Sequence, residues 1–163
     1  MRSKNSNEAA TTDSVDWGSV LENLASGGSS SFIFPKQGRT KVRLVHRKDQ
    51  QHFTEVMSDF QGRQKAKYMI LAVNMADADT EELSVKGLVL PKTAFRSIVQ
   101  LLNEGYDLWD PEEGHGLTII RSGSGLETSY SILPSQKAAP IDPAVIDRAP
   151  LFDTLKEEYA QLR

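Results

Sequence analysis

"LSVKGLVLPKTAFRSIVQLLNEG", residues 83–105, changes its period halfway along. Up to Pro91 the residues suit a strand. Beyond it Phe95, Ile98, Val99, Leu101 and Leu102 recur three and four apart. That spacing predicts a helix, and Gly105 stops it.

Upstream, "AKYMILAVNM" (66–75) is almost continuously apolar and predicts the most central strand. "TKVRLVH" (40–46) alternates strictly, with Lys41, Arg43 and Val45 on one face and Val42, Leu44 and His46 on the other. It predicts a half-buried strand whose outward face is cationic. "HFTEVM" (52–57) is a further strand, and "SDFQGRQK" (58–65) a turn with Gly62 at its tip. "DADTEE" (77–82) and "YDLWDPEEGHG" (106–116) are acidic loops. "GLTIIRSGSGLETSYSILPS" (116–135) predicts a hairpin, 117–122 and 126–133, in which Tyr130 shares a face with Leu126, Thr128 and Ile132.

This order predicts a mainly β domain: a five-stranded Greek-key barrel of the OB type, with one helix between strands 3 and 4. An SH3-like barrel or another small α+β sheet gives a similar string. Three segments are expected: a flexible arm (1–31), the barrel (32–135), and a proline-rich tether with an amphipathic tail helix (136–163). The arm holds a short helix, "SVDWGSVLENLA" (14–25), and a Gly/Ser linker. The tail stripe of Leu151, Phe152, Leu155, Tyr159 and Leu162 is expected to dock a partner rather than to belong to the barrel.

At 163 residues the chain holds one compact domain plus tails. The absence of cysteine excludes disulfides and thiolate metal sites and fits a reducing interior. No stretch approaches the ~20 apolar residues of a membrane span, and "MRSKNSNEAATTDS" has no apolar signal core. A soluble protein of the cytoplasm is expected. Catalytic motifs are missing: no Gly-Lys dipeptide for a phosphate loop, no nucleophile elbow, no His-Glu-x-x-His. No catalytic residue, metal or cofactor is expected.

Charge is segregated along the chain. Residues 36–68 carry nine Lys/Arg against three acids, a net of +6, and residues 76–116 carry nine acids against three cations, a net of −6. Such a division gives one face an attraction for polyanions while the molecule stays near neutral; the alternative is two solvated faces that offset one another. Single-stranded nucleic acid needs cations along its phosphates and aromatic faces for its bases. The first strand offers Lys41 and Arg43, with Arg39 and Arg47 at its ends. The following turn offers Arg63, Lys65 and Lys67 beside Phe60 and Tyr68, and the hairpin offers Arg121 and Tyr130.

The sequence also resembles a known family. "FIFPKQGRTKVRLVHR", "YMILAVNMADAD", the run from "VKGLVLPKTAF" through "DPEEGHGLTIIRSGSGLETSYSILPS", and "APIDP" are similar, in order, to helix-destabilising single-stranded DNA-binding proteins of tailed phages. The resemblance covers about residues 32–145. It implies an OB-fold that coats single-stranded DNA during replication, recombination and repair, without sequence preference, in the cytoplasm of a bacterial host. It also implies self-association through the arm or tail, and replication proteins as partners. The zinc-binding insertion of well-known members is not carried over, because this chain has no cysteine. The rival expectation is a non-catalytic subunit of a replication or transcription complex that holds a partner peptide on the same barrel.

Overall fold

The computed structural model describes residues 31–60, 62–76 and 83–162. The side chain of Phe60, the expected arm helix with Trp17 and the acidic loop 77–82 lie outside the described residues.

Over the described residues the protein is mainly β, with one mixed seven-stranded sheet and three helices. In chain order these are β1 (Phe32–Ile33), β2 (Gly38–Leu44), β3 (Phe53–Phe60), β4 (Arg63–Asn74), β5 (Lys86–Pro91), α1 (Lys92–Asn103), β6 (His115–Ser122), β7 (Ser129–Ala138), α2 (Pro143–Asp147) and α3 (Phe152–Gln161). The path across the sheet is β1-β5-β4-β2-β6-β7, with β3 also beside β4. Only β1 and β5 are parallel.

The long β4 organises the sheet. Its first eight residues pair with β3 (Phe53 opposite Ile70, Phe60 opposite Arg63), and its last three pair with β2 (Val42 opposite Asn74). Its other edge carries β5 (Lys67 opposite Pro91, Ala72 opposite Lys86). From Met69 to Val73 both of its faces are buried, so both must be apolar, which is what "MILAV" supplies.

Strand alternation divides the buried residues into two cores. Ile70 and Ala72 of β4 join Val42, Leu44, Leu88, Leu90, Leu117, Ile119 and the buried stripe of α1, Ala94 and Ile98. Met69, Leu71 and Val73 point the other way and join Phe32, Val56, Val89 and the C-terminal helices. α1 ends as predicted: Gly105 has φ 98°, where an L side chain is strained, and Tyr106 N–H donates back to Leu101 O at 3.1 Å.

Three expectations are corrected. The tail is not a separate docking element: Val145, Phe152, Leu155 and Tyr159 are buried in the second core, and residues from Ser31 onward form one compact unit. The supposed tether is partly sheet. β7 runs to Ala138, and Ser135 accepts from Gly116 N–H through its hydroxyl and bonds the His115 ring through its carbonyl. Leu126 does not lie on a strand. Gly123 and Gly125 take positive φ (79° and 55°), so the turn lengthens into a 3-10 segment, Gly125–Glu127, and Leu126 is 99% exposed.

Candidate nucleic-acid interface

Arg43 lies where alternation puts it, on the same face as Val45, but that face is not open. The chain returns across it after β7, leaving Arg43 0% exposed. Its Nε donates to Ala139 O at 2.7 Å, and Nη1 to Leu44 O at 2.7 Å and Leu108 O at 3.0 Å; Nη2 donates to Asp110 O. Burial lowers its pKa, and the carboxylates of Asp107 and Asp110 oppose that shift. Arg43 is therefore a staple between β2 and two loops, with its donors committed, and it is withdrawn from the phosphate-contacting set.

The acidic loop is shaped to receive it. Asp107 Oδ1 accepts from Trp109 N–H and Asp110 N–H, and Asp110 Oδ1 accepts from Glu112 N–H and Glu113 N–H. These are side-chain turns of the kind aspartate forms with backbone two and three residues on. The two backbone bonds hold the Asp110 carboxyl below its usual range, with Arg43 adding to the effect. Gly114 then passes so close that a Cβ would meet Arg43 Nη2 at 2.5 Å and Asp110 O at 2.7 Å.

Arg47 is also corrected. It donates to Asp49 Oδ1 at 2.7 Å and to Ala149 O at 2.5 Å, tying the end of β2 to the segment before α3.

A cationic site does form, at the opposite end of β6. Lys67 is half-buried, and its pKa is lowered by that burial and then by Lys65 and Arg121, so both charges acting on it are positive. Arg121 Nη1 donates to Pro35 O at 3.1 Å, whereas its Nε is buried without a partner. Repelling cations and an idle buried donor are the arrangement an incoming anion would relieve. Arg63 and Lys65 stand exposed on the adjoining hairpin, and Tyr130, half-buried, sits opposite Arg121.

Arg39 and Lys41 are exposed but pair with Ile120 and Thr118, whereas Gly38 pairs with Arg121. Their side chains therefore leave the β2–β6 ladder on the face opposite to Arg121 and Tyr130. Tyr68 stacks on Phe95 of α1 at 4.6 Å and 8°, with Phe53 4.8 Å from Phe95, so it belongs to an aromatic cluster at the margin of the first core. Phe53 at the outside of that cluster is 43% exposed.

Sequence reasoning missed Phe34. It is 46% exposed, lies against Phe32 at 5.9 Å, and immediately precedes the Pro35 carbonyl that holds Arg121. The signal was present in "FIFP": alternation buries Phe32 and Ile33 in opposite cores, the strand stops before the proline, and Phe34 is left half covered by Phe32 at its end.

At the far end, His46 and His52 stack at 3.6 Å and 11°, and Trp109 meets His52 edge-on at 4.6 Å. Burial, then the neighbouring His46, lower the His52 pKa. The unfolded chain therefore binds this proton more readily than the folded one. Stability is expected to be fullest above about pH 6.5 and to fall as the pH drops below it. Melting temperature from pH 8 to pH 5 checks this, and His52→Gln should flatten the profile.

No group of three or more metal-ligating side chains occurs among the described residues, and none of their helices is long and apolar enough to cross a membrane. No family model, curated protein or solved structure matches the chain.

Proposed function

We propose that this chain is a phage-type single-stranded DNA-binding protein, without catalytic activity, that coats DNA irrespective of sequence during replication, recombination and repair. The observation that carries this reading is that Lys67 lies within electrostatic reach of both Lys65 and Arg121, with the Arg121 Nε buried and unpartnered. Tyr130 opposite Arg121, and Phe34 one residue before the Pro35 carbonyl that holds it, supply aromatic faces for bases. The order of pairings supports an OB-type plan: β2 with β4, β4 with β5, α1 next, then β6 returning to β2 and β7 to β6. In that plan β2 and β3 together act as the first, interrupted strand.

The test is fluorescence titration with oligo-dT across a salt series. Lys67→Ala and Arg121→Ala are each expected to weaken binding and to flatten the log–log salt slope by about 0.7 for every phosphate left unneutralised. Phe34→Ala is expected to cost about 1–3 kcal/mol of affinity with the slope unchanged. Unchanged affinity in all three folded variants sinks the proposal. It would favour the rival reading of a protein-interaction subunit, which the groove beside Trp109 supports.

A further inference from the structure

The end of the molecule that carries His46 also holds a groove of about 750 Å³, lined in part by Trp109, Pro111, Pro143 and Ile146. Its lining comes from the residues that follow β2, the loop between α1 and β6, and α2. No strand of the sheet borders it, so an incoming chain finds no backbone ladder to join. It finds rings instead. Trp109 stands edge-on to His52 at 4.6 Å, and His52 is stacked on His46, which holds the indole in place. The hydrogen bond that Trp109 donates comes from its backbone N–H, and its indole N–H has no acceptor among the described residues.

The charge of the groove is one-sided. Arg47 is tied to Asp49 at 2.7 Å, which leaves Lys48 as the remaining cation of the lining. Asp107 and Asp110 each spend one carboxylate oxygen on backbone N–H groups, and the other oxygen has no partner among the described residues. The carboxylate of Asp147, exposed at the end of α2, has no partner among them either.

An occupant that suits this groove is extended without a strand partner, packs on rings and carries cations. A polyproline II segment meets all three conditions. Its backbone is solvated rather than paired, its prolines pack on aromatic faces, and its carbonyls accept from an indole N–H. With three residues per turn, a basic residue at every third position lines one edge. We propose that the groove docks a basic, proline-rich segment of a partner protein in this form. Its prolines lie against Trp109 and Pro111, and its Arg or Lys side chains reach Asp107, Asp110 and Asp147. The proposal does not rest on the DNA reading. His115 N–H, at the start of β6, donates to Asp107 O at 2.8 Å, whereas Arg121 lies near the other end of that strand. At about 3.4 Å per residue the two ends are roughly 20 Å apart.

Fluorescence anisotropy of a labelled peptide of Arg-Pro-Pro repeats, titrated with the full chain, tests this. Saturable binding is expected, and a Glu-Pro-Pro repeat should bind at least about tenfold more weakly. An Arg-Ala-Ala repeat has the same charge but favours helix, and it should bind about fivefold more weakly or worse. Trp109→Phe keeps a ring and loses the indole donor, which should weaken binding about fivefold, the worth of one hydrogen bond. Asp147→Lys, at an exposed position, should weaken it about tenfold, and Lys48→Glu should strengthen it. A chain that binds neither arginine peptide overturns the proposal, and so does binding that ignores both Trp109→Phe and Asp147→Lys in folded variants. Equal binding of the two arginine peptides overturns the polyproline assignment. Oligo-dT affinity of the same two variants, expected to be unchanged, reports on the DNA reading separately.

Discussion

Arg43→Met is expected to destabilise the protein by about 3 kcal/mol or more, because it leaves the buried carbonyls of Leu44 and Leu108 and the part-buried ones of Asp110 and Ala139 without their donor. Each buried acceptor stripped of its partner costs about 1–3 kcal/mol. Methionine fills much of the volume, so the loss reports on hydrogen bonding more than on a cavity. Arg43→Lys should recover little of it, since an ammonium has no planar fork to reach carbonyls on three segments at once. The readout is the urea midpoint by circular dichroism. A variant of unchanged stability that has lost oligo-dT affinity would return Arg43 to the interface and refute the staple.

Leu155→Ala is expected to cost about 2–5 kcal/mol, the range for a buried leucine truncated in a core that cannot collapse. Leu155 is 1% exposed and packs with Met69, Leu71 and Val89. A Cβ built on Gly87 would meet its Cδ1 at 3.3 Å, so helix and sheet approach closely there. Deleting the chain from Leu151 onward removes Phe152, Leu155 and Tyr159 from the second core, and that fragment is expected to bind a hydrophobic dye and lose its cooperative melt. Leu155→Met, near in volume, should cost less than about 1.5 kcal/mol. A truncated chain that melts like the full one would show that α3 is a dispensable appendage.

Both predictions sit where local pattern was right about the residue and silent about its surroundings. In "TKVRLVH" the alternation correctly puts Arg43 and Val45 on one face and Val42 and Leu44 on the other. Alternation within a strand cannot say what lies over either face. The cover comes from Leu108, Asp110 and Ala139, more than sixty residues away in sequence. A cationic face expected to meet phosphate is therefore sealed with backbone carbonyls. The same holds for the tail, whose apolar stripe was legible while its partner was not.

What the sequence by itself determined is the local layer. Periods of two and 3.6, with glycine and proline as stops, located six strands, α1 and α3, and the charge count placed a basic and an acidic half on the chain. Long-range pairing decided the rest: Lys67 comes within electrostatic reach of Arg121 across more than fifty residues, and Arg43 and Arg47 are spent on structure. Exposure of a long polar side chain depends on which distant segment packs over it. Hydrophobic burial drives that packing without regard to sequence distance, so the cations left open to a ligand are set by the tertiary fold.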